Sequence, residues 1–195
     1  MTVLVDPTDQ GTGWKIPRMA AEIILSSNAE EGDTLGKSKD GSPPFIIKYP
    51  GEYEVKNIFV YGLTVLKKNQ STHSTSTNLF VIGIDDMYVG HLGSLDRALN
   101  EKELDELGRI DVLLLPVGGR SVCDPRVATE IVTQIEPRIV VPMMYGLPGL
   151  KTDLRGVEDF LKEFGIKDGE PQEKLKLMKK DLPADDTKIV ILNPA

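Results

Sequence analysis

Residues 86–119 carry the pattern that most narrows what this chain can fold into. An apolar run, MYVGHLG, gives way to a charged segment, LDRALNEKELDELGRI, and then to a second apolar run, DVLLLPVGG, closed by paired glycines. That order reads as strand, loop, helix and strand, the βαβ signature of a buried sheet. Chemistry in such a unit belongs at the strand ends, here near residues 91–94 and 116–119.

The pattern then repeats. Asp124-Pro125 opens a helix running to about Glu136, where Pro137 stops it, and RIVVPMM at 138–144 is the next apolar strand. Residues 153–164 are expected to be helical, with Leu154, Val157, Phe160, Leu161 and Phe164 as a buried stripe and Gly165 as C-cap. Asn100 opens the earlier helix with Glu101 and Glu103 in its first turn, and Gly108 ends it. Two further strands are expected at 174–182 and 187–192.

Upstream of this unit the chain reads as strands. Short apolar runs at 2–5 and 21–25 precede strands at 45–49, 52–55, 57–68 and 77–84. The strand at 57–68 is apolar on both faces and so is covered on both. The hydroxyl-rich insert NQSTHSTSTN is expected to be a hairpin tip, with His73 a solvated loop residue. Trp14, the only tryptophan, is expected to cover the core. β-rich first and βαβαβ later suits sheets packed together with helices outside.

Composition removes several function classes. The 195 residues are enough for one substantial core, so residues 1–195 are expected to form a single domain. A net charge of −7 argues against a nucleic-acid surface, and Lys174, Lys176, Lys179 and Lys180 read as a solvated face beside nearby acids. No run is long and apolar enough for a membrane span, and the N-terminus lacks the pattern of an export signal, so a cytoplasmic protein is expected. The single cysteine, Cys123, allows neither an internal disulfide nor a multi-cysteine zinc site. It reads as a small residue before a helix rather than a nucleophile.

Four stretches, TVLVDP at 2–7, PGEYEV at 50–55, HLGSL at 91–95 leading to LDELGRIDVLLLPVGG, and EPRIVVPMMYG at 136–146, resemble the metallo-β-lactamase-fold superfamily. Their order and spacing resemble its UlaG-like, hydrolase-like branch, and the resemblance covers nearly the whole chain. It implies an α/β fold, an αββα four-layer sandwich with a metal site at the strand ends between the sheets. It also implies that the usual N-terminal strand pair is missing before Thr2, leaving a sheet edge open for a homo-oligomer contact.

Active members of that superfamily hold zinc or manganese with a His-x-His-x-Asp-His cluster, a middle histidine, an aspartate after Leu-Gly and a late histidine after Val-Pro-Met. The metal acidifies a bound water and polarises the scissile bond. This chain departs at each place. Where the cluster is expected stand Asn28, Glu30, Gly32 and Asp33 with no histidine, and the aspartate position falls on Gly32. Ser94 replaces the bridging carboxylate, Met144 the late histidine, and residues 66–68 offer no middle histidine.

The expectation is therefore a frame without its metal: no catalytic residue, no metal and no cofactor, a non-catalytic binding or scaffold protein. Asn28, Glu30, Gly32, Asp33, Ser94 and Met144 are its vestigial metal-site positions. Asp6, His91, Gly118 and Gly119 are expected to line the cleft, His91 as a hydrogen-bonded core histidine, and the ligand is unspecified. The alternative is a hydrolase of lactones, phosphodiesters or thioesters that uses Glu30, Asp33 and His91 as an unusual metal set, or works without metal.

Overall fold

The structure is a computed structural model and describes residues 1–7, 12–13, 19–28, 41–68, 75–167 and 169–194. Trp14, Glu30, Gly32, Asp33 and His73, each singled out above, lie outside the described residues. Three short parallel strands, β1 (Val3–Val5), β2 (Ile23–Leu25) and β3 (Phe45–Ile47), form one sheet in that order. Its β1 side is an edge.

The second sheet has seven strands. β4 (Gly51–Val55), β5 (Ile58–Leu66), β6 (Ser76–Ile84) and β7 (Met87–His91) run antiparallel to their neighbours, as hairpin-linked strands do. Past β7 the pairing turns parallel through β8 (Val112–Pro116), β9 (Ile139–Met143) and β10 (Lys188–Ile189). Helices α1 (Glu101–Leu107) and α2 (Pro125–Ile135) make the first two crossovers, and α3 (Val157–Glu163) lies within the connection from β9 to β10.

The two-residue period of a strand sorts the large sheet's side chains between two cores. Leu79, Val81, Leu113, Leu115 and Val140 face the helices, packing with Ile131, Phe160 and Leu107. On the opposite face, Val60, Phe80 and Ile82 meet Ile23, Leu25 and Ile47 of the small sheet. Farther along that face, Val112, Ile139 and Val141 are covered by Leu175, Leu177 and Leu182. Two facing sheets with helices outside the larger one form the expected sandwich, and all the described helices lie on that one side.

Local signals hold where they are strongest. The Asn100 side chain accepts from the Glu103 amide while Glu103 answers the Asn100 amide, a full capping box. Asp124 caps α2, and Glu136 ends it in the left-handed region. Three expectations need correction. Residues 174–182 form no strand; a single 3-10 turn spans Lys179–Asp181, because β10 already occupies the edge of β9 and the leucines need only a surface to cover. Within 187–192 strand pairing is confined to Lys188–Ile189. The third helix starts at Val157 rather than residue 153, since the Arg155 amide and carbonyl are taken by Gly118 and Gly146 in an extended route.

Candidate functional site

The carboxyl ends of β1, β2, β5, β7, β8 and β9 open on one side of the sandwich, and polar side chains collect where they meet. The join between the sheets is made there. Asp6, just past β1 and at a positive φ of 46°, accepts from the Ser27 amide at 2.6 Å and from the Ser27 hydroxyl at 2.7 Å. The Asn78 amide of β6 donates to the Ser27 carbonyl at 2.8 Å, and the Asn78 side-chain amide reaches the Lys48 carbonyl at 2.9 Å. Thr64 donates to the Asn78 side-chain oxygen at 2.6 Å.

His91 closes the end of β7, 4% exposed. Its Nδ1 accepts from the Gly93 amide at 3.2 Å, so the proton sits on Nε2, 3.6 Å from the Asp6 carboxylate. Burial holds the imidazole below its ordinary pKa, opposed by the Asp6 charge. It is a neutral, tautomer-locked core histidine. Asp6 and His91 thus meet at the strand ends where the two sheets join.

Gly93 then turns the chain at a φ of +50°, where a Cβ would stand 2.3 Å from the Thr77 hydroxyl and 2.7 Å from the Asn78 carbonyl. Only glycine fits, and the turn presents Ser94. The Ser94 amide donates to the Thr77 hydroxyl at 3.1 Å. Facing its own hydroxyl is Lys67, one residue past β5, whose ammonium donates to Ser94 Oγ at 3.3 Å and to the Ser121 carbonyl at 3.1 Å. Lys67 is 7% exposed, and burial outweighs the pull of Asp96 in lowering its pKa.

Just past the end of β8, Gly118 lies against the Met144 backbone; a Cβ there would clash with the Met144 carbonyl. Gly119 turns at a φ of +69° and donates to the Cys123 carbonyl at 2.9 Å. Met144 itself has a φ of 51° and its side chain is exposed. Asn28 is half-buried, with its carbonyl accepting from the Ser26 hydroxyl at 2.8 Å. Cys123 is fully buried and its thiol is pushed up to about 12, so it is no nucleophile.

Zinc or manganese, implied by the resemblance, does not fit the described donors. Zinc takes imidazole, thiolate or carboxylate, whereas Ser94 offers a hydroxyl, Met144 a solvent-facing thioether and Lys67 a cation already bonded to Ser94. Among the described residues no three His, Cys, Asp or Glu side chains are grouped to hold a metal ion. Lys67, Ser27, Thr77, Asn78 and Ser121 are the members that sequence reading missed. The one available signal was a lysine at the end of an otherwise apolar strand, in the stretch expected to supply the middle histidine.

Among the described residues no helix is long and apolar enough to cross a membrane. The chain is 28% identical to a UPF0173 metal-dependent hydrolase from Thermococcus onnurineus, over 85% of each protein. It is 39% identical to a UPF0173 protein from Pyrococcus abyssi over 50% of the chain, a match that takes in 46% of that relative, less than two thirds of its length. A solved metallo-beta-lactamase superfamily structure from Thermotoga maritima superimposes with a TM-score of 0.77 at 28% identity, covering 98% of this chain and 90% of that one. The family model for the beta-lactamase superfamily domain matches residues 1–144, and with that span and this fold the chain belongs to the beta-lactamase superfamily.

Proposed function

We propose that this chain is a non-catalytic binding member of its superfamily, using the strand-end cleft without a metal ion. One observation carries the reading: the Lys67 ammonium is hydrogen-bonded to Ser94, where relatives with a metal need a carboxylate facing a histidine. A dication there would be repelled by the lysine and held by neither residue. Nucleophilic chemistry by Ser94 with Lys67 as base finds little support. Two amides beside the Ser94 hydroxyl, those of Gly93 and Ser94, are already taken by His91 and Thr77 and are not free to stabilise an oxyanion.

Elemental analysis of protein purified without chelator tests the reading. Well under one zinc or manganese per chain is expected, and near-stoichiometric metal would overturn it. The alternative, a metal-dependent hydrolase with unusual ligands, is supported by the name of the Thermococcus relative. Turnover of a lactone, phosphodiester or thioester that stops with a chelator would decide for it.

A further inference from the structure

A buried ammonium is expensive unless a counter-charge or a full set of hydrogen bonds meets it. Lys67 has three N–H donors and, among the described residues, uses two, both on neutral oxygens, Ser94 Oγ and the Ser121 carbonyl. Among the described residues no carboxylate lies within 4.0 Å of it. Asp96, whose charge acts on Lys67, accepts from the Lys68 amide at 2.8 Å. Ser94, Ser121 and Asp96 are only half-buried, so the ammonium lies just below the protein surface rather than deep in a core.

Its surroundings hold it in place. Ser94 is fixed by Thr77 and by the Gly93 turn, which admits no side chain. Val122 and Cys123, next to Ser121, are buried, and Cys123 donates its amide to the Leu95 carbonyl at 2.8 Å. Among the described residues the lysine is thus a preorganised positive charge with no anion bonded to it and with the Ser94 hydroxyl beside it.

We propose that the Lys67–Ser94 pair binds the oxyanion group of a small ligand, a carboxylate or a phosphate, with the ammonium supplying the positive charge that a metal would otherwise bring. This rests on the metal-free reading of the cleft. An oxyanion meets the lysine's remaining N–H in a charge-assisted hydrogen bond, and the Ser94 hydroxyl can donate to a second oxygen.

The experiment measures thermal unfolding of the whole chain at constant ionic strength, with chloride replaced by inorganic phosphate in one arm and acetate in another. The unfolding midpoint should rise by about 3 °C where an anion stands near ten times its dissociation constant. Lys67→Met should abolish that rise, while Lys67→Arg keeps it. Lys68→Met, at an exposed neighbour, should respond like the parent chain. A response to phosphate alone or to acetate alone names the ligand class.

No response of the parent chain to either anion overturns the proposal, as does an equal response in Lys67→Met. Should Lys67→Met fail to fold, equilibrium dialysis of radiolabelled phosphate and acetate against the parent and Lys67→Arg decides instead, and absence of binding by the parent overturns it. Stoichiometric zinc in protein whose response to phosphate still requires Lys67 would sink the metal-free reading and leave the anion site standing.

Discussion

Among the described residues two charged Asp and Lys side chains are buried, at opposite strand ends of the large sheet, and they are partnered differently. Asp111, just ahead of β8 and 1% exposed, accepts from the Arg109 guanidinium at 2.9 Å and from the Tyr88 amide at 2.9 Å. Its backbone carbonyl takes the amides of Arg138 and Ile139 as well. Lys67, at the opposite ends of the strands, has neutral hydrogen-bond partners only among the described residues. A charge that serves the fold has its hydrogen bonds completed within the chain, whereas one left short of them is open to a ligand.

That contrast can be broken by substitution. Asp111→Ala should destabilise most, by about 3 kcal/mol in urea unfolding, because the Tyr88 amide loses its acceptor and Arg109 its partner. A loss below about 1 kcal/mol would mean that Asp111 is no better paired than Lys67. Ser27→Ala should cost about 1.5 kcal/mol, the worth of a hydroxyl bond to a carboxylate, since the Ser27 amide still holds Asp6.

A smaller effect should follow from pH. His91 is held below its ordinary pKa of 6.5 in the folded chain, so the unfolded chain takes up more protons as pH falls past that value. Stability from this residue is present above pH 6.5 and is lost on acidification, and the loss between pH 7 and pH 5 should shrink in His91→Asn. Glu103, lowered first by its bond to Arg97, contributes separately: its share disappears only as pH falls below the carboxylate range near 4.5.

Lys67→Met should change stability least, by within about 1 kcal/mol and in the stabilising direction, since an apolar chain of similar length relieves an incompletely satisfied buried charge. A loss as large as that of Asp111→Ala would erase the contrast and make Lys67 a structural ion. Chemical denaturation of both variants in the same buffer, without phosphate or carboxylate, makes the comparison direct.

The comparison also bears on what could be read in advance. Asp111 stands beside Arg109 in sequence, two residues apart. Lys67 meets Ser121 across 54 residues and Ser94 across 27, and no pattern along the chain announces either contact. Asp6, His91, Gly118 and Gly119 could be singled out because a resemblance to known motifs marks them. Ser27, Thr77 and Asn78 were not, because a hydroxyl or an amide in a polar stretch looks the same whether it faces solvent or stitches two sheets together. Residues 174–182 show the same limit from the other side: alternating leucines specify a face to be covered, and only the occupancy of the β9 edge decides that the covering segment is not a strand.

The sequence by itself determined the βαβ units, the caps at Asn100 and Asp124 and the apolar faces of the central strands, because periodicity and capping are settled among near neighbours. It also determined that imidazole and carboxylate are missing from Ser94 and Met144. What fills the space was decided by tertiary structure alone. The strand ends bring Lys67 to Ser94 and Ser121, and whether a charge is paired depends on groups far apart in sequence that meet only in the folded chain.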